Sequence, residues 1–269
     1  MQIFYLNLDT EPGRRAYMEA QFAEAGVSGE RVKAITPRDI VPDVLRQACD
    51  KTRRHWVSPT ELACTMTHRL AWREIIERNL PMALILEDDV VLSHRLPELL
   101  AAVEPLSDGL DVIRIETQQP DVRLGQPDRR NDTVELRQIH MVVWGCGGYI
   151  VTNAGARRLL GPLSRLDVPV DAAIFNYHLG IANQLRTRQA VPAGIANGDA
   201  ARQLKGEVFA TTIGAVRRPT DEPEPTGLRS ATDAAVRRWG GIVSRRRDRI
   251  RGWLDRRLRG IEAVDIPLL

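Results

Sequence analysis

Met82-Ala83-Leu84-Ile85-Leu86-Glu87-Asp88-Asp89 is a five-residue apolar run that ends abruptly in three consecutive carboxylates. Its length and composition are those of a strand buried on both faces. Open α/β sheets bind their ligands at the carboxyl edge of such strands. Three acids placed there repel one another unless a cation joins them. Hard divalent cations, Mn²⁺ or Mg²⁺, take oxygen ligands and are commonly held by one or two carboxylates plus substrate phosphates. The stretch therefore points to an α/β fold with a metal-bound diphosphate at a strand end. A solvated acidic turn is the alternative reading of the tripeptide taken alone.

Just upstream, Ser58-Pro59-Thr60-Glu61 has the signature of a capping box with proline at the first helical position, and it predicts a helix running to about residue 78. Leu62, Met66 and Leu70 form one apolar stripe of that helix and Cys64, Ala71 and Ile75 another, so it should be covered on two sides. Residues 2–9 read as a first strand. Residues 13–25 follow as a helix with Tyr17, Met18, Phe22 and Ala25 on one side and Gly26 as its stop. Downstream, a short helix over 96–103, a strand over 111–115, weak alternation over 133–139 and a strand near 185–191 are expected. Asn153 is the expected cap of a helix reaching residue 160, and Pro169-Val170-Asp171 opens another. Residues 118–131, rich in Pro, Gly, Asp and Arg, read as a long mobile loop.

At 269 residues, 43% hydrophobic and 27% charged, the chain can bury a full core and is ordinary globular material. No apolar stretch approaches the roughly 20 residues of a spanning helix. The N-terminal residues lack a basic leader and a small-residue cleavage site, which favours work in the cytoplasm. Cys49, Cys64 and Cys146 are too widely spaced for a disulfide framework or a CxxC zinc site, and they read as reduced, packed thiols. His55, His68, His94, His140 and His178 show no metal-ligand spacing either.

The net charge of +3 is unevenly placed. Residues 236–260 hold ten Arg and two Asp, a local +8 that leaves −5 for the remainder. Val236, Trp239, Val243, Ile250, Leu254, Leu258 and Ile261 recur there at helical spacing, with Trp253 among the arginines. This is the pattern of a basic amphipathic helix on an anionic membrane surface, and it is favoured over a solvated basic tail or a nucleic-acid contact. A catalytic domain over 1–214, a proline-rich linker over 215–230 and a tail over 231–269 are the expected divisions.

Gly145, Gly147 and Gly148 lack dinucleotide-fingerprint spacing; they serve either close packing in a sheet or close approach to a ligand. Taken in order, several segments together resemble glycosyltransferase family 25. These are Ile3-Phe4-Tyr5-Leu6-Asn7-Leu8 with Arg14-Arg15, Glu61-Leu62-Ala63-Cys64-Thr65-Met66-Thr67-His68, Ala83 to Val90 around the acids, Gly145 to Val151 with Gly155-Ala156, and Pro169-Val170-Asp171. The resemblance covers roughly residues 1–180 and excludes the tail. Thr67 replaces the serine more usual before the family's histidine, which keeps a hydroxyl.

What the resemblance implies is a GT-A-like open mixed sheet flanked by helices, a UDP-sugar donor, and Mn²⁺ or Mg²⁺ held by Glu87 and Asp89, with Asp88 orienting the ribose or sugar. It further implies inversion at the anomeric carbon, with Asp171 as general base; an acidic helix cap is the other reading of Asp171. Asn7, Leu8, Arg14, Asp88, Gly147 and Tyr149 are the candidate donor-binding residues. Tyr149 reads equally as a sheet-core aromatic, His68 as a buried core histidine and His178 as a helix-terminal one. The implied acceptor is a saccharide, lipid-linked, at the inner face of the cytoplasmic membrane. A Mg²⁺ phosphohydrolase and a catalytically silent nucleotide-sugar or glycan-binding protein are the competing readings.

Overall fold

The computed structural model describes residues 1–118, 121–162, 164–176, 178, 180–197 and 260–269. In chain order its elements are β1 (Gln2–Asn7), α1 (Pro12–Glu24), β2 (Glu30–Lys33), α2 (Pro42–Ala48), α3 (Pro59–Glu77), β3 (Met82–Glu87), β4 (Val91–Leu92), α4 (Leu96–Val103), β5 (Val112–Arg114) and β6 (Glu116–Thr117). There follow β7 (Val122–Arg130), β8 (Glu135–Ile139), β9 (Gly148–Thr152), α5 (Asn153–Leu159), α6 (Val170–Phe175), β10 (Thr187–Val191), β11 (Ile195–Ala196) and β12 (Glu262–Val264). The expected α/β class holds: an open mixed sheet flanked by helices.

Nine strands form the main sheet in the order β12-β7-β8-β10-β5-β9-β3-β1-β2, and β4, β11 and β6 form a small second sheet. β1 runs parallel to both β2 and β3, while β9 runs antiparallel to β3 and β5. Strand alternation divides the core into two layers. Ala83 and Ile85 pack with Phe4, Ala71, Trp72 and Ile75 on one face of the sheet, whereas Leu84 and Leu86 pack with Tyr5, Met18, Phe22 and Leu96 on the other. Both faces of β3 are therefore covered, which is why its sequence reads as an unbroken apolar run. Register Leu6↔Glu87 brings the carboxyl ends of β1 and β3 to one edge, and register Leu86↔Gly148 starts β9 at the same edge.

The capping box at α3 is present: Ser58 Oγ accepts from the Glu61 amide (3.2 Å) and Glu61 Oε2 accepts from the Ser58 amide (2.9 Å). Gly26 follows α1 in the left-handed region, φ +67°, as a helix stop requires. Two expectations fail. Thr152, not Asn153, caps α5 through Gly155 N, leaving the Asn153 amide to bond the carbonyls of Ile75 and Leu80. Residues 118–131 are no long loop, since β7 occupies nine of them. Val122 and Leu124 are fully buried, and Pro127 is accommodated where the β7–β8 register shifts. A proline costs a strand least at such a bulge, where the ladder is already interrupted.

Among the described residues no helix is long and apolar enough to cross a membrane. The linker and nearly all of the basic segment, including Trp239 and Trp253, lie outside the described residues. Its last residues, 260–269, are described and join the fold. β12 pairs with the outer side of β7, Ile261 and Ile266 are buried, and Leu269 N–H donates to Ala193 O (2.8 Å). Removing residues 260–269 should lower stability by several kcal/mol, at about 1.5–3 kcal/mol for each buried isoleucine. A urea-unfolding midpoint unchanged by that truncation would show the segment to be energetically idle.

Candidate active site

The acids that close β3 line a cleft of about 460 Å³ at the carboxyl edge of β1 and β3. Asp88 has both oxygens engaged: Asn7 Nδ2 donates to Oδ2 (2.7 Å) and Arg14 donates to Oδ1 (2.9 Å). Asn7 is itself fixed, because Arg31 Nε donates to its Oδ1 (3.0 Å). Burial nonetheless pushes Asp88 above its ordinary pKa, against those two donors and with help from the Glu87 charge. Arg14 also lies 3.5 Å from Asp89 Oδ2, while Asp89 Oδ1 is buried and meets no hydrogen-bond partner. Burial first, then the charges of Glu87 and Asp88, push Asp89 up to about 7, against the pull of Arg14.

Glu87 turns toward the floor. Its Oε1 lies 3.5 Å from His68 Nε2, 3.6 Å from Cys146 Sγ and 3.9 Å from Cys64 Sγ. Burial opposes its charge, but His68, Cys146 and Arg14 together hold it below the usual glutamate value. Behind His68, Trp72 Nε1–H donates to Tyr149 Oη (2.9 Å), and the same phenol oxygen lies 2.9 Å from His68 Nδ1. Because the phenol can both accept and donate, it holds the imidazole in either tautomer, with Nε2 facing Glu87.

On the far wall stand Trp144, Gly145 and Asp171. Asp171, at the start of α6, accepts from the amides of Gly145 (3.1 Å) and Ala172 (2.7 Å). Gly145 has φ +82°, and a Cβ there would meet Gln118 Oε1 at 2.2 Å, so the loop can present this amide only with glycine. Trp144 keeps 43% of its surface exposed at the rim.

Glu87, Asp88, Asp89, Arg14, Leu8 and Asp171 thus face one cleft. Asn7 acts behind Asp88 and does not line it. Tyr149 is fully buried in the sheet under His68 and Trp72, so its ring is closed to a sugar or base. Gly147 packs so tightly that a Cβ would meet Asn197 Nδ2 at 2.4 Å, the close-packing alternative of its two readings. His68 is buried and bonded, whereas His178 is exposed and lies outside the cleft wall. Arg15 pairs on the surface with Glu19 (2.8 Å).

Sequence reasoning missed Trp144, Arg31 and a fully buried ion pair beneath the cleft. In that pair Arg114 donates to Glu116 Oε1 (3.1 Å), and Glu116 Oε2 accepts from the Gly148 amide (3.3 Å). Alternation over Ile113-Arg114-Ile115-Glu116 places the two charges on one strand face, but such a pattern reads as a solvated face and gives no sign that the pair is buried.

As to the oxygen ligands a hard cation needs, Asp89 Oδ1 is a buried acceptor awaiting a partner, and Glu87 supplies held negative charge beside it. The donor set therefore fits Mn²⁺ or Mg²⁺ carried in with phosphate oxygens.

These features define an α/β protein with a ligand cleft at the carboxyl edge of parallel strands, walled by acids on four segments, Glu11, Glu61, Glu87 to Asp89, and Asp171. The model of glycosyltransferase family 25 (LPS biosynthesis protein) matches residues 1–174, and the chain belongs to that family. A Haemophilus influenzae relative is 30% identical over 183 residues, covering 64% of this chain and 62% of its own length. The lacto-N-neotetraose biosynthesis glycosyltransferase LgtE of Neisseria meningitidis serogroup B is 26% identical over 193 residues, covering 66% of this chain and 67% of its own. The chain thus spans 62% and 67% of the length of these two relatives. Among solved structures, a glycosyltransferase involved in glycosylation of the major capsid of PBCV-1 aligns with TM-score 0.39 and 12% identity over 78% of this chain and 100% of its own.

Asp89 titrates near 7 in the fold but near about 4 in the unfolded chain. Its ionisation therefore penalises the folded state increasingly from pH 4 to 7 and by a constant amount above 7. In EDTA-treated buffer Asp89→Asn should melt higher than wild type at pH 8, with the difference closing toward pH 4. Thermal unfolding across that range checks this, and an equal or lower melting temperature at pH 8 would overturn it.

Proposed function

We propose that this protein is a metal-dependent, inverting glycosyltransferase. It moves a hexose, galactose foremost, from a UDP-sugar to a saccharide acceptor of lipopolysaccharide, lipooligosaccharide or another envelope glycan. One observation carries the reading: Asp88, Asp89 and Asp171 converge on a single open cleft in a chain of family 25.

Sheet order supports a division of labour across that cleft. β2, β1, β3 and β9 lie side by side, so the acids stand in the middle. Leu8, Ala34, Ile35 and Pro37 form an apolar wall on the β1–β2 side, suited to a nucleoside base. Trp144 and Asp171 form the wall beyond β3, on the β9 and α6 side, suited to an acceptor sugar. An exposed tryptophan rim offers the apolar face of a sugar ring a flat surface.

Asp89 would be the direct metal ligand, with Glu87 adding charge from below. A cation held there would supply Lewis-acid stabilisation of the charge that builds on the departing UDP. Asn7 and Arg14 keep the Asp88 carboxylate immobile, so it can accept a donor hydroxyl without reorganising. The two backbone amides on Asp171 fix its orientation. As the acceptor oxygen attacks the anomeric carbon, an Asp171 oxygen takes the hydroxyl proton; one displacement inverts the centre. We further propose that the arginine-rich segment over 236–259 holds the enzyme at an anionic lipid surface, where a lipid-linked acceptor resides; Ile261, expected on its apolar face, is buried in the fold instead.

Asp171→Asn should lower turnover on the order of 10²- to 10⁴-fold while leaving UDP-sugar affinity unchanged, as loss of a general base requires. Steady-state transfer assays beside calorimetric donor binding separate the two, and full turnover in the variant would remove Asp171 from this role. EDTA should stop wild-type transfer and Mn²⁺ restore it, whereas Asp89→Ala should stay inactive with Mn²⁺ present. Activity that survives chelation would exclude the metal reading.

A further inference from the structure

Two thiols, an imidazole and a carboxylate meet on the cleft floor, an arrangement that a hard, oxygen-seeking cation does not use. Cys64 and His68 are four residues apart on α3, so they project from one helix face. Glu87 ends β3, and Cys146 lies in the loop before β9. Cys146 Sγ is 3.6 Å from His68 Nε2 and 3.6 Å from Glu87 Oε1; Cys64 Sγ is 3.9 Å and His68 Nε2 3.5 Å from the same oxygen. Cys64, His68 and Glu87 each offer a ligand atom within 4.8 Å of the others. A tetrahedral zinc ion, with Zn–S about 2.3 Å and Zn–N about 2.0 Å, sets its ligand atoms roughly 3.3–3.8 Å apart. His68, Glu87 and Cys146 already stand at that spacing, while Cys64 stands slightly outside it, 3.9 Å from Glu87 Oε1.

The geometry points to a second metal site, distinct from the Asp89 position, in which Cys64, His68, Glu87 and Cys146 bind a thiophilic divalent cation of the Zn²⁺ class. Ligand chemistry selects the metal, because two sulfurs and an imidazole favour Zn²⁺ and its soft congeners over Mg²⁺ or Mn²⁺. The surroundings supply the other requirements of such a site. All four residues line the open cleft, which gives the ion access. Tyr149 Oη holds His68 Nδ1 from behind (2.9 Å) and can accept as well as donate, so Nδ1 can carry the ring proton and leave Nε2 to the metal.

Binding balances simply. The cation replaces one proton on each thiol, two protons pass to solvent, and the imidazole keeps its proton on Nδ1. Without the cation both thiols stay protonated, held up by burial and by the nearby Glu87 charge. The complex would tie α3, β3 and the loop before β9 together and fix Glu87 at the floor.

Cd²⁺ is the probe, because its thiolate complexes absorb in the near ultraviolet. Full-length metal-free protein, kept reduced with a phosphine, should bind one Cd²⁺ per chain with thiolate charge-transfer absorbance, release two protons, and yield the ion to excess Zn²⁺. Cys64→Ser or Cys146→Ser should each about halve the absorbance and weaken binding at least tenfold, and the double variant should abolish it. Cys49→Ser and Asp89→Ala should leave it intact, which keeps this site separate from the donor-side metal. Zn²⁺ should raise the melting temperature of wild type but not of either single variant. Absence of charge-transfer absorbance in wild type, its persistence in either single variant at full strength, or its loss in Cys49→Ser would overturn the assignment. Should the double variant not fold, the two single variants carry the same test.

Discussion

Repulsion among three adjacent carboxylates, held where a buried strand ends, is the constraint that organises this molecule. Each acid is managed by a different device. Asp88 is gripped by Asn7 and Arg14, which fastens the end of β3 to β1 and to the start of α1. Glu87 is turned down toward His68 and two thiols. Asp89 is left with a buried oxygen that meets no partner, and its charge is suppressed instead. A carboxylate that is costly to ionise where it stands is one whose charge a nearby cation would stabilise strongly. The unfavourable electrostatics at Asp89 are thus what would favour a cation there.

The same logic extends beneath the cleft. Arg114 and Glu116 are fully buried, and such a pair is weak as a source of net stability because both charges lose their water. Its value is geometric. Arg114 also donates to Gln189 Oε1 (3.0 Å) and to the Trp144 carbonyl (3.3 Å), and Glu116 receives the Gly148 amide. The pair therefore pins both ends of the loop that carries Trp144, Gly145 and Cys146. Burial pushes Glu116 up against the pull of Arg114, and the Glu87 charge pushes the same way, so the lower pair and the upper acids share one electrostatic field.

What the sequence made legible follows from what is local. The apolar run of β3, the capping box of α3 and the boundaries of α4 are written in residues a few positions apart, and all three read correctly. The misreading of residues 118–131 has a physical cause: Pro, Gly and Arg are loop residues by propensity, but β8 on one side and β12 on the other impose a strand. β12 comes from residues more than a hundred positions later, which no local pattern announces. Of the site, the acid triplet and Asp171 were legible through motif order. The roles of Tyr149 and Gly147 were not, because a buried hydroxyl relay and a missing Cβ contact are properties of packing. Cys64 and His68 carried a helical i, i+4 spacing from the start; their partners Glu87 and Cys146 lie 19 and 78 residues beyond His68, and only the sheet brings them together.

Topology also explains why one edge gathers loops from strands of both directions. Because β1, β2 and β3 are parallel, their carboxyl ends and following loops open on one side; because β9 is antiparallel to β3, its leading loop arrives there too. Two loops of opposite chain direction thus face each other across the acids. One is anchored through Asn7, whose carbonyl accepts from Ala34 N (3.0 Å). The other is anchored through Gly145, whose amide is given to Asp171. Asn7 also grips Asp88 through its side chain, so the loop after β1 is tied to the acids, whereas the Gly145–Asp171 contact stands apart from them. Side chains on the surrounding loops, rather than the acids at the end of β3, are where a scaffold of this kind changes its ligands.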